Sequence, residues 1–126
     1  MQALEITGTI VTPSVLLDYN NNKYSITGKS LPENPTAFYS PIIEWLNELK
    51  TIIEPGRKVV LEVRYDYFNT ASSKLFLDIV DVLHEFSEKD IDVCVEWQYE
   101  AGDENMKESG ETYVELVDVP FVFKEV

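Results

Sequence analysis

Cysteine is almost missing from this chain. Cys94 stands alone among 126 residues, so no internal disulfide can form and no thiolate cluster can be assembled to hold a metal. Bases are scarce as well: ten Lys and Arg against 23 Asp and Glu leave a formal charge of −13. Such a surface repels phosphate backbones and anionic lipid, and ten scattered cations build no basic stripe. Nucleic acid and membrane surfaces are therefore not expected as partners. No apolar run approaches the ~18 residues of a membrane helix, and the opening MQALEITGTI has neither the basic start nor the apolar stretch of a signal peptide. The expectation is a soluble cytoplasmic protein. Gly28, Gly56, Gly102 and Gly110 are too dispersed to cradle a phosphate. His84, the one histidine, lies 11 positions beyond Ser73 on a predicted helix, about 16 Å along the axis, so those two cannot share a proton.

What is present is an ordinary globular balance, 44% apolar and 26% charged. One domain spanning residues 1–126 is the natural prior, and a chain of this size hides roughly two thirds of its unfolded surface, enough for a core without staples. Leu4, Ile6 and Ile10 share one parity and predict a strand over 2–11. Val15 to Tyr19 and Lys23 to Gly28 flank Asn20-Asn21-Asn22, a hairpin turn, since Asn tolerates left-handed backbone. Residues 29–40, with two prolines and no usable period, read as loop with room for one helical turn. Trp45, Leu46, Leu49, Ile52 and Ile53 then follow helical spacing over about 41–54, with Ser40 as N-cap and Pro41 at the first helical position.

Val59, Leu61, Val63, Tyr65 and Tyr67 alternate along a strand from Arg57 to Phe68. Leu75, Phe76, Ile79, Val80, Leu83 and Phe86 mark a second helix over about 71–88, and Ile91 to Gln98 alternates as a further strand. Residues 101–119 read as a third helix despite Gly110, and Phe121 to Phe123 as a last strand. The order β-β-β-α-β-α-β-α-β predicts an α/β fold: a mixed, mostly parallel sheet with an N-terminal antiparallel hairpin and about three helices.

Few residues suggest chemistry. The acidic run from Asp103 to Glu111 fails as a calcium loop, because its fifth and sixth positions are Lys107 and Glu108. Asp66, Asp78 and Asp81 are the acids a small enzyme or ligand-binding domain would use; Asp78 and Asp81 also belong to the polar side of an amphipathic helix. One segment carries a sharper signal: Asp66-Tyr67-Phe68-Asn69-Thr70-Ala71-Ser72-Ser73-Lys74, where the long strand hands over to the second helix. A helix start offers unpaired N–H groups and about half a positive charge, which suits both N-capping by Asn69 or Thr70 and the reception of phosphate.

At these residues the chain resembles the SiaC family of bacterial regulatory phosphoproteins, small domains with a fold similar to STAS domains. The resemblance runs through Thr12-Pro13-Ser14-Val15 with Leu17-Asp18, Gly28-Lys29-Ser30, Pro32-Glu33-Asn34, Phe38-Tyr39, Pro41, Trp45-Leu46, Tyr67-Phe68-Asn69-Thr70, Ser72-Ser73-Lys74 and Pro120-Phe121. It implies a protein that is not an enzyme and needs no cofactor or metal. Thr70 would be the phosphoacceptor, modified by a partner protein kinase and restored by a metal-dependent serine/threonine phosphatase. The unmodified form would bind an effector such as a diguanylate cyclase. Asn69, Ala71, Ser72, Ser73 and Lys74 would support the phosphate. Ala71 replaces a serine common in the family, leaving Ser72 and Ser73 as the other hydroxyls open to modification. Leu31, Pro32, Glu33, Asn34, Tyr39 and Tyr67 are the expected partner-facing residues.

Overall fold

In the computed structural model all residues from Met1 to Val126 are described. The elements are β1 (Leu4–Ile6), β2 (Ser14–Asp18), β3 (Lys23–Ser30), α1 (Pro35–Ile52), β4 (Lys58–Phe68), α2 (Thr70–Ser87), β5 (Asp92–Tyr99), α3 (Glu104–Leu116) and β6 (Phe121–Glu125). That is the order the sequence pattern predicts. The six strands lie in one sheet in the order of the chain, antiparallel from β1 to β3 and parallel from β3 to β6. Three right-handed crossovers that all step in one direction put all three helices on one face of the sheet. Burial agrees: Val59, Leu61, Val63 and Tyr65 are buried, while Lys58, Glu62 and Asp66 on the opposite face of β4 are exposed. The mixed α/β class anticipated from the sequence is the one observed.

The boundaries differ in instructive places. Strand β1 ends at Ile6 instead of continuing to residue 11. The Thr9 hydroxyl accepts the N–H groups of Val11 and Thr12, closing a tight turn that leaves Ile10 87% exposed instead of in the core. Helix α1 begins six residues before Pro41. Asn34 caps it by accepting the Ala37 N–H at 3.1 Å, and Pro35 takes the first helical position. Ser40 is no cap; inside the helix its hydroxyl donates to the Thr36 carbonyl. Asn34-Pro35 carries the same start signature as Ser40-Pro41, and the earlier pair prevails because it lets Tyr39 join Ile42, Trp45, Leu46 and Leu49 on the buried stripe.

Strand β4 departs from simple alternation. Gly28 faces Tyr65 but Lys29 faces Tyr67, so Asp66 is one residue too many for its partner strand. A bulge reverses the inside–outside order beyond it. Tyr67, expected on the core side, is turned to solvent and half exposed, and Phe68 turns inward with its ring 5.0 Å from that of Tyr65.

Beneath the start of α2 lies a row of buried hydroxyls. Ser72 donates to the Ser30 carbonyl at 3.0 Å, so its oxygen accepts from Ser30 at 2.8 Å. Having given its one proton away, Ser30 accepts from Tyr39 at 2.6 Å, and Tyr39 from Tyr65 at 2.9 Å. The row joins β4, α1, β3 and α2 around one point, and Ser30 and Ser72 are the buried polar residues of the chain. Ser72→Ala is expected to cost about 1–3 kcal/mol in urea unfolding, because it strips partners from groups that water cannot reach.

Helix α3 runs through Gly110, which has no room for a side chain: a Cβ there would sit 2.6 Å from the Trp97 ring and 2.7 Å from Phe123. Helix propensity favours Ala by about 1 kcal/mol, but displacing two rings costs about 1–3 kcal/mol. Gly110→Ala should therefore lower stability, measured by denaturant titration. Burial also pushes the phenols of Tyr24 and Tyr113 up to about 12 and that of Tyr65 well above its ordinary value. The folded state thus favours their neutral form. Their contribution is complete below about pH 10, where unfolded tyrosine titrates, and is lost progressively as pH rises from there towards about 12. Tyrosinate absorbance followed together with circular dichroism should show these three phenols ionising only as structure is lost.

Candidate functional site

The site forms where β4 ends and α2 begins. Asn69 caps the helix, its side-chain oxygen accepting the Ser72 N–H at 2.9 Å. Its own N–H donates to the Ser30 carbonyl at 3.1 Å, the same oxygen that receives the Ser72 hydroxyl. The cap is thereby locked to the end of β3. Thr70 follows as the first helical residue and is exposed, as is Ala71. At these two positions the backbone N–H groups have no intrahelical acceptor and carry the positive end of the helix.

Thr70 borders an open cleft of about 460 Å³. Asp66, Tyr67, Phe68, Asn69 and Ser73 form its β4–α2 side, and Asp103, Asn105, Met106 and Ser109 face them from α3. Asp103 caps α3 by accepting the Met106 N–H at 3.0 Å. Two helix N-termini therefore converge on one cleft, offsetting locally the negative field of the chain. Ser73 ties the two helices: Tyr113 donates to the Ser73 carbonyl at 3.0 Å and accepts from the Ser73 hydroxyl at 2.7 Å.

The segment expected to support a phosphate is gathered here, with one exception. Asn69, Thr70, Ala71, Ser73 and Lys74 lie on the accessible first turn and a half, but Ser72 is fully buried with its hydroxyl committed to Ser30. It can neither reach a phosphate on Thr70 nor accept one itself while α2 is in place. Among the expected partner-facing residues, Leu31, Glu33, Asn34 and Tyr67 are exposed. Tyr39 is not. The earlier start of α1 carries it onto the core side of that helix, into the hydroxyl row. Pro32 is buried too, because the Leu31 N–H bonds the Val11 carbonyl at 2.7 Å and draws this loop against the 7–13 turn. That same contact sets Ile10 and Val11, both exposed and both assigned to a strand by their pattern, beside Leu31.

The three acids considered for catalysis are not brought together. Asp66 borders the cleft, but Asp78 and Asp81 lie on the exposed side of α2, about 12 and 16 Å along the helix from Thr70. No group of three or more His, Cys, Asp or Glu is close enough to hold a metal. The parallel strands also keep one order throughout, without the reversal that opens a ligand crevice in doubly wound sheets. Asn105 and Ser109 had no signal in the sequence. Only the packing of α3 beside α2 places them opposite Thr70.

Comparison with known proteins agrees with this fold. The family model described as SiaC family regulatory phosphoprotein matches residues 6–126. An uncharacterized protein of Pseudomonas aeruginosa, strain UCBPP-PA14, is 31% identical over 98% of this chain and 97% of its own length. The structure of SiaC of Pseudomonas aeruginosa superposes with a TM-score of 0.89 at 28% identity, covering 100% of both chains. A chain from the crystal structure of the diguanylate cyclase SiaD in complex with its activator SiaC, from the same organism, gives 0.90 at 30% identity over 98% of this chain and 99% of its own. With sequence and fold matched along nearly its whole length, the chain belongs to the SiaC family of regulatory phosphoproteins.

Proposed function

We propose that residues 1–126 act as one phosphorylation-switched binding domain in a bacterial, cytoplasmic partner-switching pathway. Thr70 is the phosphoacceptor. A protein kinase adds the phosphate, a metal-dependent serine/threonine phosphatase removes it, and the unmodified form binds an effector of the diguanylate cyclase class; SiaC of Pseudomonas aeruginosa forms a complex with the diguanylate cyclase SiaD, of which it is the activator. The observation that carries this reading is the placement of Thr70: exposed at the first position of α2, its hydroxyl outside the buried row that holds the helix start in place.

Magnitudes decide what such a modification does. A phosphoryl group adds about −1.5 to −2 charge, and at a helix N-terminus a negative charge gains about 0.3–1 kcal/mol. The fold is indifferent or slightly favoured. A partner surface shaped for a neutral hydroxyl would have to desolvate an imperfectly paired dianion, at a cost of several kcal/mol. The phosphate therefore acts on binding. The exposed edge around Thr70, Leu31, Glu33, Asn34 and Tyr67 with Ile10 and Val11 beside them, is one part of the docking surface. The enzyme alternative built on Asp66, Asp78 and Asp81 gains no support from acids this far apart.

Thr70→Ala should abolish stoichiometric phosphate uptake from the cognate kinase, read by intact-mass spectrometry. Thr70→Asp should weaken effector affinity at least about tenfold, or about 1.4 kcal/mol, with an unchanged urea midpoint. Full phosphorylation of the Ala variant, or unaltered affinity of the Asp variant, would contradict the proposal.

A further inference from the structure

The cleft beside Thr70 does not end at Ser109. A second depression of about 250 Å³ continues from it between α2 and α3, sharing Phe68, Ser73 and Ser109 with the first. It exists because α3 packs on β5 and β6 and meets α2 through Tyr113. The resulting trough is floored by Phe68 and Tyr113 and walled by Leu77 and by Leu116, which is 62% exposed. From Asn105 to Leu116 it follows about 16 Å of helix α3, long enough for the apolar anchors of two helical turns.

Its rims are acidic. Asp66 and Asp103 stand at the mouth. Helical spacing sets Asp78 and Asp81 along the outer edge of α2, and Glu108 and Glu115 along that of α3, all four exposed. Lys74 is the single cation lining the trough. An apolar floor between two acidic rims is complementary to one kind of occupant, a helix with an apolar stripe and flanking lysines or arginines. We infer that the groove between α2 and α3 holds a cationic amphipathic helix of the effector.

This inference rests on the reading of Thr70 as the switch, and gives it a mechanism. The Thr70 side chain stands at the mouth of the groove, so a phosphate there would lie under the first apolar anchor. Desolvating it outweighs any gain between the phosphate and partner cations at a solvent-exposed rim, where ion pairs are screened. The acids Asp78 and Asp81, which assemble no catalytic site, have a role as rim charges.

A synthetic amidated peptide of leucine and lysine, about 18 residues long so that it holds a helix, with leucines at i, i+3, i+4 and i+7, serves as the probe for the full chain labelled with nitrogen-15. Amide shifts are expected around Phe68, Ser73, Leu77, Ser109 and Thr112. Affinity should fall at least about tenfold for Leu116→Glu and should weaken in about 0.5 M salt. A glutamate analogue of the peptide should not bind. Leu116 is exposed enough that its replacement leaves the core intact, and Leu77→Glu, checked by thermal melting, provides a second reading. Shifts centred on the open sheet face or on the Ile10–Leu31 edge would overturn the inference. So would full affinity in the Leu116 variant, or groove shifts that grow with protein concentration alone, which would mean a second copy as occupant. Peptide binding that is equal in wild type and Thr70→Asp but lost in Leu116→Glu would uphold the groove and remove Thr70 as its switch.

Discussion

A single backbone oxygen, the carbonyl of Ser30, carries the arrangement on which the site depends. It accepts the N–H of Asn69 and the hydroxyl of Ser72, using both lone pairs and pinning the first turn of α2 to the end of β3. The Asn69 cap, the Ser30 and Ser72 side chains and the two phenols behind them all converge there. Buried and satisfied, such a set is rigid; with one member missing, its neighbours face a desolvation cost of a few kcal/mol. Thr70 is consequently presented outward on a firm base, and its own side chain is free of structural duty.

The topology decides where function can sit. Because the parallel strands follow one another without reversal, the helices share a face, and the cleft at the strand ends lies between α2 and α3 instead of at a switch in strand order. The opposite face is left polar. What remains for recognition is the C-terminal edge of the parallel strands and the seam between α2 and α3, and the two meet at Thr70. Packing on the aromatic side reinforces the seam. Trp97 touches Tyr65, Phe68, Phe76 and Tyr113, and Gly110 permits α3 to approach that cluster closely. The same approach fixes Asn105 and Ser109 opposite Thr70.

Electrostatics makes a generally hostile surface locally receptive. A chain of charge −13 repels anions at long range, yet the first residues of two helices line the cleft. The field near Thr70 differs from that of the surrounding rims. An anionic group placed there would be favoured by the helix N-termini against the acidic surface around them.

The order of elements, the mostly parallel character of the sheet and the handover from strand to helix within residues 66–74 were legible in the sequence. Hydrophobic period and helix-start chemistry are local properties, written within a few residues of where they act. Asn69 before Thr70 is a capping signal wherever the chain goes. The extra residue at Asp66 that turns Tyr67 outward was not legible, because a register slip is defined by the partner strand. Nor was the choice of Asn34-Pro35 over Ser40-Pro41, which depends on Tyr39 reaching Ser30, or the burial of Ser72, whose partner lies 42 residues away. Ile10 obeyed a strand pattern and was released from it by a turn of threonine hydroxyls. The sequence alone determined the order and type of the elements and placed a helix start at Asn69-Thr70. Tertiary structure alone decided which side chains around that helix start are exposed and which are buried, because burial and hydrogen bonding between distant segments are set only when the sheet and helices close on one another.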